Sequence, residues 1–182
     1  MEMEDAQTLG ATGLLEAEAP TTVIYRRNEA EASTKDDVHA LGFFHLNIPS
    51  NCTTISRSAF DSCQNLVSVT ITESVTHIGD FAFSHCTSLA SITLGESVSD
   101  VGSFAFRGCT SLASISLGES VTHIANYAFE GCTSLASITL GESVTLIGHG
   151  AFDGCTSLAS ITLGESVTHI GDRAMKGCTS LA

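Results

Sequence analysis

Apolar positions return along this chain in fixed columns. Cys63, Cys86, Cys109, Cys132, Cys155 and Cys178 stand 23 residues apart without a slip. Leu66, Leu89, Leu112, Leu135, Leu158 and Leu181 keep the same interval, as do Phe60, Phe83, Phe106, Phe129 and Phe152, with Met175 closing that column. A period of this size marks a solenoid, in which each copy is one supersecondary unit stacked on the next. The columns trace back to Phe43, where Leu46, Ile48, Cys52, Ile55, Ala59 and Phe60 fill the apolar slots of a diverged first copy. The repeats are therefore 43–65, 66–88, 89–111, 112–134, 135–157 and 158–180, followed by an incomplete copy, Leu181 and Ala182.

Within residues 89–111 the apolar set is Leu89, Ile92, Leu94, Val98, Val101, Ala105, Phe106 and Cys109. The alternation of Ile92, Thr93 and Leu94 predicts a strand, and Val98 to Val101 a second short extended piece. Residues 103–109, crowded by Gly102, Ala105 and Gly108, predict a helical or 3₁₀ turn. Eight buried side chains do not offset the conformational entropy of ordering 23 residues, so stability must come from stacking. The alanine column (Ala59, Ala82, Ala105, Ala128, Ala151, Ala174) never varies, which predicts a slot with no room for a larger group. The glycine column of Gly95 contains Pro49 and Thr72 in the first copies, and proline cannot adopt a positive φ, so a left-handed turn is not its reason.

Composition narrows the function classes. At 182 residues and 43% hydrophobic content the chain can fill a core. Seven basic against 20 acidic residues leave a formal charge of −13, which repels a phosphate backbone; nucleic acid is not an expected partner. No stretch approaches the roughly 18 consecutive apolar residues of a membrane span. The first residues lack the basic start and apolar run of an export signal, which favours a cytoplasmic setting. Residues 1–42 read as an acidic leader, mostly flexible, with 33–42 expected to form a short helix capping the first winding. The last copy stops without a polar cap, so self-association or docking through that C-terminal end is a further expectation.

The recurrent phrase in which Phe-x-Gly-Cys-Thr-Ser-Leu leads into Ser-Ile-Thr-Leu and then Ser-Val-Thr resembles the BspA-like leucine-rich repeat family. Its copies typically read Ile-Pro where this chain has Leu-Gly, and Ile48-Pro49 in the first copy has the family form. The resemblance covers residues 43–182. It implies a right-handed leucine-rich-repeat solenoid of about six repeats, built from short parallel strands and acting in protein recognition or adhesion, often on bacterial and protist surfaces.

Several ladders invite chemistry. Cysteines one per winding lie about 4.7–4.9 Å apart on parallel vectors, poorly placed for disulfides, and read as buried free thiols; Cys52 is a small core filler. His77, His123 and His169 share a column but sit two windings apart, too far to share a metal ion, so no metal is expected. Glu73, Glu96, Glu119, Glu142 and Glu165 form an acidic ladder read as solvated. No unique convergent set suggests catalysis, and no glycine loop suggests a cofactor.

Residues that differ between copies are expected to face solvent on the turn side. They include Phe81, Phe104, Tyr127 and Arg173 in one column and Ser84, Arg107 and Glu130 in another. Phe81, Phe104 and Tyr127 make an aromatic stripe suited to anchoring another protein; equally, each ring can simply fold over its own turn. The hydroxyl ladder Thr93, Ser116, Thr139 and Thr162, with a second of Thr76, Thr122, Thr145 and Thr168, suggests the alternative of binding ice, mineral or glycan, although threonine also suits exposed strand positions. The sequence thus points to a non-enzymatic recognition or scaffold module for another protein.

Overall fold

A computed structural model describes residues 15–18, 22–25, 44–48 and 50–182. The chain winds into a solenoid with two strand faces joined by turns. One face carries a two-residue strand per winding: β4 (Thr54–Ile55), β6 (His77–Ile78), β8 (Asp100–Val101), β10 (His123–Ile124), β12 (Leu146–Ile147) and β14 (His169–Ile170). These pair in parallel and in register, His77 opposite Asp100 and Asp100 opposite His123. The other face carries β3 (Phe44–Asn47), β5 (Leu66–Thr70), β7 (Ser91–Thr93), β9 (Ser114–Ser116), β11 (Ser137–Thr139) and β13 (Ser160–Thr162). Its ladder is interrupted between β7 and β9, leaving two panels of three parallel strands.

Within the leader, β1 (Leu15–Glu18) and β2 (Thr22–Tyr25) form an antiparallel hairpin, and β2 pairs with β4, so the hairpin continues the two-residue ladder at its first edge. An edge strand paired in this way no longer offers free N–H and C=O groups. The helix expected at 33–42 lies outside the described residues.

Both strand types alternate burial. Ile92, Ile115 and Ile138 point into the core between exposed hydroxyl residues, and Ile78, Val101, Ile124 and Ile147 are buried beside exposed partners. Phe60, Phe83, Phe106, Phe129 and Phe152 are fully buried and stack ring on ring, with centroids 5.2–5.5 Å apart. One copy has no neighbour for either ring face; stacking supplies both, as the repeat energetics require. The alanine column is buried throughout, consistent with its invariance. In the last described winding the columns open, with Leu163 41% and Ile170 51% exposed where Leu140 and Ile147 are covered.

Of the expected helical or 3₁₀ turn, isolated i→i−3 turns form, and among the described residues no helix forms. Alternate N–H groups divide their work. Those of Phe104, Phe106 and Gly108 donate to Asn126, Ala128 and Glu130 of the next winding at 2.7–3.0 Å. Those of Ala105, Arg107 and Cys109 close tight turns onto Gly102, Phe104 and Phe106. Positive φ at Phe104 (59°) and Gly108 (67°) interrupts any helical run. Linking every second donor to the neighbour turns the loop itself into an inter-winding ladder. Gly95 has no positive φ; a Cβ there would approach the Thr72 carbonyl oxygen to 2.5 Å, so close backbone contact explains the glycine.

Candidate functional site

The turn side holds a continuous aromatic ridge. Phe81 stacks on Phe104 with centroids 4.8 Å apart and an interplanar angle of 6°, and Phe104 stacks on Tyr127 at 5.0 Å and 9°. His149 closes the ridge edge-on against Tyr127 at 5.1 Å, and the Arg57 guanidinium lies over the Phe81 ring, 5.5 Å from its centroid. Arg107 lies over Phe104 at the same distance and also pairs with Glu130, Nε to Oε2 2.9 Å. All three rings are half-buried. Each folds onto its neighbour's ring, so the stripe is one inter-winding unit with ring edges facing outward. Arg173 occupies the same column two windings beyond Tyr127 and is exposed. Of the variable turn positions, Ser84 departs from the solvent-facing expectation: it is buried, its hydroxymethyl group being too short to reach past the long side chains beside it.

The backbone beneath this ridge is left-handed. Phe81, Phe104, Tyr127 and Arg173 have φ of 57–60°, a region that costs a non-glycine residue roughly 1–2 kcal/mol. Gly150 fills the same column at φ 58°, so the fold accepts glycine there. The aromatic choice is not dictated by the backbone, though each stacked pair returns roughly 0.5–1.5 kcal/mol. The stack ends at Gly150, which carries no ring, and the Tyr127 ring occupies the space where a Cβ would stand.

The two hydroxyl ladders differ in kind. Thr76, Thr145 and Thr168 donate through Oγ1 to Thr53, Thr122 and Thr145 carbonyls of the preceding winding at 3.2 Å, so this ladder serves the solenoid itself. Thr93, Ser116, Thr139 and Thr162, with Ser91, Ser114, Ser137 and Ser160, stand exposed on the opposite face, those of β9, β11 and β13 paired in register. None of these eight side chains forms a hydrogen bond within the described residues.

The acidic ladder is more than solvated charge. Glu73, Glu119 and Glu142 accept the backbone N–H of Glu96, Glu142 and Glu165 at 2.7–3.1 Å, satisfying a turn donor in the next winding. Asp80 and Asn126 do the same for Ser103 and His149 at 2.8 Å. The Cys52 thiol donates to Asn51 Oδ1, while the buried thiols of Cys86, Cys109, Cys132 and Cys155 each donate to a phenylalanine carbonyl of the previous winding, Cys109 Sγ to Phe83 O and Cys132 Sγ to Phe106 O at 3.1 Å. Burial pushes these thiols well above their usual range, with neighbouring thiols adding to the effect. All seven cysteines are free. His77 Nδ1 lies 2.6 Å from Thr76 Oγ1 and its Nε2 3.1 Å from Asp100 Oδ2, but both side chains of the His77–Asp100 contact are more than half exposed. Such a relay lacks the water-excluded, preorganised surroundings on which acid–base catalysis depends. Among the described residues no group of three His, Cys, Asp or Glu side chains converges to hold a metal ion, and no helix is long and apolar enough to cross a membrane.

Residues 41–143 match the profile of the BspA type leucine rich repeat region, in six copies. Comparison with curated protein sequences finds no match. Among solved structures, a leucine-rich repeat protein from Bacteroides ovatus is 29% identical with a TM-score of 0.74, covering 93% of this chain and 44% of its own. The Treponema pallidum leucine rich repeat protein is 25% identical with a TM-score of 0.70, covering 98% of this chain and 91% of its own. A leucine rich cell surface protein from Faecalibacterium prausnitzii is 27% identical with a TM-score of 0.60, covering all of this chain and 54% of its own. The chain thus spans about half the length of the first and third of these structures.

Proposed function

Because the chain belongs to the BspA-type leucine-rich repeat family, whose repeats suggest protein-interaction or surface modules, we propose that it is a non-enzymatic recognition module that grips another protein through its turn-side aromatic ridge. The observation that carries this reading is the placement of Phe81, Phe104 and Tyr127 on left-handed backbone where glycine also fits. Aromatic and arginine side chains presented together are the residues that most often dominate binding energy at interfaces. Tyr127 adds a hydroxyl at one end, Arg107 and Glu130 form a polar border, and Arg173 extends the column. The repetition of each environment along the solenoid supports binding over catalysis, since a catalytic set needs one convergent geometry.

Serine is native to this column, at Ser58 with φ 55°, so the slot tolerates it. The triple variant Phe81→Ser, Phe104→Ser, Tyr127→Ser is therefore expected to fold with its circular dichroism spectrum retained. Proximity labelling followed by pull-down should recover a protein with the wild-type chain and lose it with the triple variant. Equal recovery by both chains, or no protein above background with the folded wild type, would overturn the reading.

A further inference from the structure

One junction between windings lacks the bonds that its neighbours share. Between 66–88 and 89–111, between 112–134 and 135–157, and between 135–157 and 158–180, the same backbone contacts recur. The N–H groups of Ala90, Ala136 and Ala159 donate to the Val67, Ala113 and Ala136 carbonyls of the preceding winding at 2.9–3.0 Å. Those of Ile71, Leu117 and Leu140 donate to Thr93, Thr139 and Thr162 of the following winding at 2.8–3.3 Å. Those of Gly102, Gly148 and Gly171 reach Ile78, Ile124 and Ile147 at 2.7–2.8 Å. Between 89–111 and 112–134, the equivalent N–H groups of Ala113, Leu94 and Ala125 make no bond at these distances among the described residues. The Glu119 N–H likewise makes no bond to the Glu96 carboxylate, whereas Glu96, Glu142 and Glu165 each bond to the glutamate of the winding before. Thr122 N–H reaches Ser99 O only at 3.4 Å, against 2.8–2.9 Å for the corresponding bonds of Ser99, Thr145 and Thr168. The break between β7 and β9 falls at this same junction.

A single methyl group accounts for the gap. From the second winding on, the residue after each two-residue strand is glycine, at Gly79, Gly102, Gly148 and Gly171, and Ala125 is the exception. A Cβ at Gly102 would stand 2.6 Å from Asp80 N, one at Gly148 2.7 Å from Asn126 N, and one at Gly171 2.6 Å from His149 N. These distances lie well inside the roughly 3.5–4.0 Å of ordinary contact, so a side chain in this slot forces its winding away from the one before. Ala125 carries such a side chain, and the pairing of Ile124 with Val101 sets it against the backbone of Gly102 and Ser103. On the turn side the two windings stay joined. Phe104, Phe106 and Gly108 N–H groups hold the Asn126, Ala128 and Glu130 carbonyls at 2.7–3.0 Å, Phe104 stacks on Tyr127, and Arg107 pairs with Glu130. A wedge beside a bonded edge opens the opposite edge, which is where β7 and β9 part.

We propose that this junction is a hinge created by Ala125, about which the windings before and after it bend, with the turn-side ridge as the axis. The windings within each half remain bonded to one another, so bending concentrates where the bonds are missing. Closing or widening the gap between β7 and β9 tilts Phe81 and Phe104 against Tyr127 and His149, and so changes the curvature of the ridge. The hinge is a property of the backbone and holds whatever the ridge binds.

Hydrogen exchange of the full chain, read residue by residue by nuclear magnetic resonance, tests the open edge. After correction for intrinsic rates, the Leu94 and Ala113 amides should exchange about tenfold or more faster than those of Leu117 and Ala136. Ala125→Gly, which removes the methyl, should slow both to the rates of their columns. Bending itself is read by double electron–electron resonance between spin-labelled non-natural residues replacing Thr70 and Thr162, which are exposed on the long-strand face on either side of the junction. The chain with Ala125 should give a broad distribution of distances, and Ala125→Gly a narrow one. Equal exchange at Leu94 and Leu117, exchange unmoved by Ala125→Gly, or the same width of distribution with and without the methyl would each overturn the proposal.

Discussion

Replacing Phe106 with alanine is expected to lower stability by about 3–5 kcal/mol, the range for emptying a fully buried aromatic site. For a chain of this length that corresponds to a fall in Tm of roughly 6–20 °C. The ring is fully buried and lies between Phe83 at 5.5 Å and Phe129 at 5.3 Å. Its removal therefore exposes two ring faces that belong to other windings. In a linear array each winding contacts only its neighbours, so a defect in the middle uncouples the two sides. Met175, in the same column but only partly covered, provides the internal comparison: Met175→Ala should cost about 1 kcal/mol, because fewer contacts are lost. Thermal and urea unfolding of both variants measure this. Equal losses at the two positions would contradict stacking as the source of stability.

Raising the pH from 8 to 10 is expected to be as damaging as that cavity. Cys86, Cys109 and Cys132 are held well above the ordinary thiol value, chiefly by burial and then by neighbouring thiols, and Cys155 is pushed up to about 12. In the folded chain these thiols stay protonated at pH 10; in the unfolded chain they ionise near the ordinary value of 9.0. A folded-state value raised above the unfolded one stabilises fully below the unfolded value and is lost as pH climbs toward the folded one. At pH 10 each such thiol removes on the order of 1 kcal/mol, and the four together several kcal/mol. That is a large part of the 5–15 kcal/mol typical of folded domains. Urea unfolding under reducing conditions should show the loss beginning near pH 9. Cys132→Ser, which cannot titrate in this range, should reduce the loss by about a quarter. A flat stability between pH 8 and 10 would contradict the burial of the ladder.

The columns that repeat in sequence are the ones that repeat in space, which is why the core was readable from the residues alone. Leu89, Phe106, Cys109 and Ala105 each occupy one slot in every winding, and burial of a slot demands the same size each time. What escaped the sequence depends on reach between windings. The glutamates looked like solvated charge because nothing in the 23-residue period reveals that the Glu119 carboxylate accepts the Glu142 N–H. The left-handed backbone under Phe81 and Phe104 was hidden by the aromatic residues themselves; Gly150 in the same column was the available sign. Residues 103–109 suggested a helical or 3₁₀ turn from their small residues; single i→i−3 turns form there, but hydrogen bonds from alternate N–H groups to the next winding keep them from joining into a helix. The β1–β2 hairpin left only the faint apolar traces of Leu14-Leu15 and Val23-Ile24-Tyr25 in an acidic stretch. The aromatic stripe was visible as a column, whereas its ring-on-ring stacking and the two arginines over it were not.

Nuclear Overhauser contacts between phenylalanine rings, measured with selectively labelled full-length chain, test most directly that equivalent side chains of successive windings lie one above another. In-register stacking requires strong contacts between Phe83 and Phe106 and between Phe106 and Phe129, with none between Phe83 and Phe129, which stand two windings apart. Absence of the first two contacts, or a contact between Phe83 and Phe129 of equal strength, would mean that the windings do not stack in register.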